Sequence, residues 1–224
     1  MSRPAAQPIH VDGMPARAAG DARRVPATVV YAALVLATTV AVRDLAPAWR
    51  ERLLAASSTN VANLTRAPVR VLVASAFWLQ GRPIVVWMGM LVVAMALTER
   101  WIGTRRTIAV LAGGHVGATV LTQAAVATAV AAGWMSRASL HMPDVGISYG
   151  LAALAGALAL RFNGRVRVAH VALALGVILI FLIFDPGVGN VGHVVAFGLG
   201  LAIAAGFRHH DAAGATRGLL TERR

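Results

Sequence analysis

Ser148 and His193 are the two side chains whose type and setting point most directly to chemistry. Ser148 sits in Asp144-Val145-Gly146-Ile147-Ser148-Tyr149-Gly150 at the start of an apolar run. Small neighbours leave its hydroxyl uncrowded. A serine in an apolar helix ordinarily bonds back to a carbonyl, so the motif alone is weak. His193 closes Gly187-Val188-Gly189-Asn190-Val191-Gly192-His193, one to two turns into another apolar run. An imidazole there is costly in lipid unless it faces protein. Ala196 and Gly200 follow it at i+3 and i+7, a stripe small enough for a second helix to pack closely. If the helices carrying Ser148 and His193 touch along that stripe, the hydroxyl and a neutral imidazole form a nucleophile–base pair.

The remaining polar residues read more plainly. His115, in Gly113-Gly114-His115-Val116-Gly117, is expected to be buried and hydrogen-bonded. Thr122 and Gln123 read as interhelical glue, and His141 and Asp144 as solvated loop residues, with orienting the loop or gating water as the alternative. There is no cysteine, which removes disulfides and thiolate chemistry. No His, Asp and Glu cluster shares one depth, so no metal is expected. No phosphate loop or dinucleotide fingerprint appears, so no cofactor is expected either.

The elements that must position these residues are membrane helices. The chain has 224 residues, of which 58% are hydrophobic and 13% charged, about half the charged share of a soluble domain. Mean hydropathy is +0.68. Net charge is +12, and every basic residue is arginine. The arginines fall between apolar runs, which marks topology and not nucleic acid. Residues 1–25 read as a disordered cytoplasmic tail, 26–208 as one membrane domain of six transmembrane helices, and 209–224 as a second cytoplasmic tail. The spans are expected near 26–42, 83–97, 107–133, 146–160, 168–184 and 188–207. Residues 44–82 are too polar to span and read as helical pieces at the membrane surface. The turns at 98–106 and 161–167 carry three arginines each, against one at 134–145 and none at 185–190. Both termini are therefore expected on the cytoplasmic side of the cell membrane.

In this order the motifs resemble the rhomboid intramembrane serine proteases, as a divergent bacterial branch. The resemblance covers about residues 27–207. A Gly-x-Ser motif opens the fourth span, and a histidine sits in a small-residue stripe on the sixth. Glu99-Arg100-Trp101-Ile102-Gly103 is similar to the Glu-x-x-x-Gly turn that ends the rhomboid second span. Arg70 and Ser75–Gly81 resemble the approach to that span. The resemblance implies Ser148 as nucleophile and His193 as base, without a third acid. It implies single-span membrane proteins as substrates.

Five positions depart from the family pattern. Tyr149 replaces the glycine after the serine, Ala196 the glycine at i+3 from the histidine, and Ala152 the aromatic that stacks on the base. Pro83 and Trp87 stand where the second span would supply His and Asn oxyanion donors. Gly146, Asn190, Gln80 and His141 are the candidate replacements in that supporting role. A fold of this kind without an oxyanion hole would bind or escort transmembrane helices. A small-solute transporter would need a path to both faces, and the chain shows no internal repeat. The oligomeric state is left open by the sequence.

Overall fold

The computed structural model describes residues 24–79, 83–184 and 187–221, and all regular structure among them is helical. Three helices start on proline at the first helical position, where the missing N–H costs nothing. They are α1 (Pro26–Arg43), α2 (Pro47–Ser57) and α4 (Pro68–Ser75). Between the last two lies α3 (Val61–Arg66), capped by Asn60, whose side chain accepts from Asn63 N–H at 2.9 Å. The segment expected to hold short helical pieces therefore does so. Helices α5 (Ile84–Ile102) and α6 (Thr104–Ala131) meet at Gly103. Its φ of +83° with ψ of 164° is a conformation that only glycine adopts readily.

A short 3-10 turn (Arg137–His141) leads into α7 (Ser148–Leu158). Helices α8 (Gly164–Phe184) and α9 (Val188–Thr221) complete the chain. Residues 1–23, the first expected tail, lie outside the described residues. α9 stays helical from the sixth apolar run through residue 221, so the helix runs on into the expected second tail.

Among the described residues, five helices are long and apolar enough to cross a membrane: α1, α5, α6, α8 and the first 26 residues of α9. The protein is a multi-pass membrane protein on that ground. The fourth expected span, at 146–160, is not among these five. α7 has only 11 residues, rising about 16 Å against a hydrocarbon core of about 30 Å. It ends early because the chain turns at Ala159–Arg161. Its apolar character serves protein burial. Every α7 residue except Ser148 and Ala155 is buried.

The core forms around α7. Met95, Val110, Leu111, Ala153, Leu154, Ala157 and Ala204 pack as one cluster. The helices carrying Ser148 and His193 do touch along the small-residue stripe. A β-carbon at Gly156 would collide with the Phe197 carbonyl oxygen, and one at Gly200 with that of Ala153. On the third side, a β-carbon at Gly114 of α6 would strike the Ala153 methyl. By contrast α8, the most apolar helix, buries only Ile178 and hangs at the edge of the bundle.

Glu99 secures the opposite end. It is 2% exposed and accepts from Ala27 N–H at 2.9 Å, Thr28 N–H at 2.8 Å and the Thr28 hydroxyl at 2.7 Å. Thr104 donates to it at 2.8 Å. No residue of α1 caps its own N-terminus, so the carboxylate satisfies the open N–H groups from another helix. This accounts physically for the Glu99-x-x-x-Gly103 pattern.

Candidate active site

Ser148 is the first residue of α7. The strand of chain before it is tied down by its backbone. Gly146 N–H donates to Ser75 O at 3.2 Å and Ile147 N–H to Trp78 O at 3.0 Å. Gly146 has a φ of +136°, so a side chain there would be strained. The backbone N–H of Ser148 belongs to the first helical turn, where no intrahelical acceptor exists. Ser148 is half-buried and lines a cavity.

His193 lies one turn and a half into α9, half-buried, and lines the same cavity. The Asn190 backbone carbonyl, three residues back, is the acceptor that the imidazole meets. Ser148 and His193 thus share one cavity without a direct hydrogen bond between them. Catalytic contacts in resting structures are often loose in this way.

Tyr149 joins the two. Its ring meets the His193 ring edge-on, with centroids 5.1 Å apart and planes at 71°. The ring lies against Gly192, where any β-carbon would overlap it. Its hydroxyl donates to Asp144 Oδ2 at 3.4 Å, and Gln123 Nε2 donates to the same oxygen at 3.1 Å. Burial pushes the Asp144 carboxyl above the ordinary aspartate range, and these hydrogen bonds pull against that. Asp144 is therefore not the solvated loop residue that its sequence context suggests. Its carbonyl accepts from Thr59 N–H and the Thr59 hydroxyl, each at 2.8 Å, and its N–H donates to Ser58 Oγ at 2.8 Å. The loop before Ser148 is thereby fixed to the turn between α2 and α3, a link with no local sequence signature.

The cavity has a volume of about 770 Å³. It is a groove between α5 and α8 with α7 as its floor. Trp87, Met90 and Leu97 line it from α5, and His170, Ile178 and Phe181 from α8. Trp87 and Phe181 bridge its Ser148 end, with ring centroids 5.8 Å apart. His170 Nε2 bonds the Ala155 carbonyl at 2.8 Å near the other end.

The supporting residues fare unevenly. Asn190 is buried and lines the groove, and its Nδ2 donates to Phe181 O at 3.5 Å. Gly146 spends its N–H on Ser75, so it shapes the loop and offers no oxyanion donor. His141 is exposed on the 3-10 turn and does not line the groove; only its carbonyl is engaged, by Asn60 Nδ2 at 3.4 Å. Gln80 lies outside the described residues, as do Asp185 and Pro186. His115 is buried as expected, with Nε2 3.1 Å from both Ser75 Oγ and Leu72 O. Thr122 Oγ1, read as interhelical glue, has no partner. Among the described residues no group of three His, Asp or Glu is placed to hold a metal.

An all-helical membrane bundle with a serine and a histidine facing one lateral groove defines the class. The rhomboid-like protein family matches residues 21–212, most of the chain, and the protein belongs to that family. No curated protein and no solved structure matches it.

Proposed function

We propose that the protein is an intramembrane serine endopeptidase that cleaves single-span membrane proteins. The observation that carries this reading is the shared cavity: Ser148 and His193 face one groove that opens sideways between α5 and α8. A substrate helix would enter there, unwinding where it reaches Ser148. With one imidazole nitrogen directed at the Asn190 carbonyl, the other keeps its lone pair and takes the Ser148 proton as the hydroxyl attacks the scissile carbonyl. The tetrahedral oxygen would meet the Ser148 backbone N–H at the positive end of α7. Asn190 is the side chain best placed to add a second donor. The imidazolium then returns its proton to the leaving amine, and water releases the acyl group. By the arginine pattern of the loops, both termini face the cytoplasm and the Ser148 end faces outward across the cell membrane.

Fluorophosphonate labelling of the purified protein tests this. Wild type should label, and Ser148→Ala and His193→Ala should each lose the signal. The open Ser148–His193 hydrogen bond and the missing second-span donors favour one other reading, a helix-binding escort without catalysis. A folded wild type that does not label would shift the assignment to that escort, since the phosphonate needs the same activated serine.

A further inference from the structure

A second cavity, of about 300 Å³, lies at the end of the bundle opposite Ser148. We propose that it binds the phosphate of an anionic membrane lipid headgroup. Three arginines from three elements line it: Arg106 of α6, Arg161 of the α7–α8 turn and Arg208 of α9. The acidic residue in the lining is Asp211, and it is consumed. Arg106 binds it through both terminal nitrogens at 2.6 Å each, and the Arg106 guanidinium also lies 5.2 Å from the Phe207 ring centre. That arrangement fixes Arg106 and leaves the other two arginines of the lining without an acidic partner among the described residues. Arg208 Nη1 donates to Leu160 O at 3.3 Å, which uses one of its five N–H groups. The Arg161 side chain is exposed and has no protein partner among the described residues.

Guanidinium forks match phosphate oxygens better than any other anion but carboxylate. The volume suits a headgroup phosphate and not a whole lipid. Location selects the source. The pocket is walled by Trp101 and Ile102 at the end of α5 and by Phe207 of α9, both helices long and apolar enough to cross a membrane. It therefore sits at the depth where lipid phosphates lie, and basic pockets between membrane helices recognise such headgroups. The surrounding surface adds exposed Arg105 and Arg165, which attract an anionic leaflet without lining the pocket. This inference does not rest on the peptidase reading.

Native mass spectrometry of the full chain in neutral detergent tests it, with phosphatidylglycerol and phosphatidylcholine of identical acyl chains. Wild type should retain phosphatidylglycerol roughly tenfold better. Arg161→Ala/Arg208→Ala should lose that preference, while Arg105→Ala/Arg165→Ala, equal in charge, should keep it. Arg161→Ala alone touches no protein contact and should still weaken the preference, which guards against misfolding of the double variant. Equal losses in the two double variants would overturn the site in favour of a diffuse basic surface. No preference in wild type would overturn it as well. Thermal stabilisation of the wild type by inorganic phosphate, without any by phosphatidylglycerol, would overturn the lipid as the source and leave a soluble phosphate.

Discussion

At the scale of single residues, Tyr149 changes how the site is understood. By family resemblance it stands where a glycine is usual, and the aromatic expected on the base is lost at Ala152. In the folded chain Tyr149 itself lies edge-on against His193. Position i+1 does the work expected of position i+4, and Gly192 makes the space for it. That exchange was not legible in the sequence, because it depends on a contact between residues more than forty positions apart. Tyr149 is a positioning residue: it holds the imidazole through ring contact and is itself held by Asp144 and Gln123. Gly192→Ala should push the ring off His193 and cost about 1–3 kcal/mol of stability. Tyr149→Phe keeps the ring and loses only one long hydrogen bond. Fluorophosphonate labelling rates should therefore fall steeply in Gly192→Ala and modestly in Tyr149→Phe. The pH at half-maximal labelling should move in the first variant and stay in the second. Equal labelling by both variants and wild type would remove Tyr149 from the site.

At the scale of elements, the bundle depends on glycines that let backbones touch and on one carboxylate that caps a distant helix. Gly156→Ala and Gly200→Ala each place a methyl on a carbonyl oxygen of the facing helix, so α7 and α9 must part. Each should lower stability by about 1–3 kcal/mol. Gly198→Ala, on the same helix with open space around it, should be neutral or slightly stabilising. Thermal unfolding in detergent, compared across the three, checks this. Glu99→Ala strips several charge-assisted hydrogen bonds from the start of α1, and about 3 kcal/mol is the expected loss; Glu99→Gln should lose less in the same assay. The α7–α9 contact was legible from the spacing of His193, Ala196 and Gly200, because a small-residue stripe has few uses besides close packing. The length of α7 was not. A hydropathy run records that 146–160 avoids water and cannot separate lipid from protein as the alternative. The continuation of α9 was equally hidden, since a cluster of charges at 208–211 ends an apolar run without ending a helix.

At the scale of the whole molecule, the unequal packing of the helices sets what can move. α7 is enclosed on nearly every side, whereas α8 buries one side chain and shares its inner face with the groove. Opening the groove therefore costs little in core contacts, and closing it rests at the Ser148 end on Trp87 and Phe181. An aromatic pair of this kind contributes about 0.5–1.5 kcal/mol beyond its buried area. A barrier lowered by about 1.4 kcal/mol is a tenfold rate. Removing the pair by Trp87→Ala/Phe181→Ala should accordingly raise the rate at which a helical substrate or client reaches Ser148 by up to roughly tenfold. A small fluorophosphonate, which needs no lateral opening, should label at a nearly unchanged rate. Crosslinking from a photoreactive helix peptide, set beside phosphonate labelling of the same preparations, separates the two. Faster crosslinking with constant labelling places helix entry between α5 and α8. If both rates rise together, the substitutions have loosened the site itself, and if neither changes, helices reach Ser148 by another route.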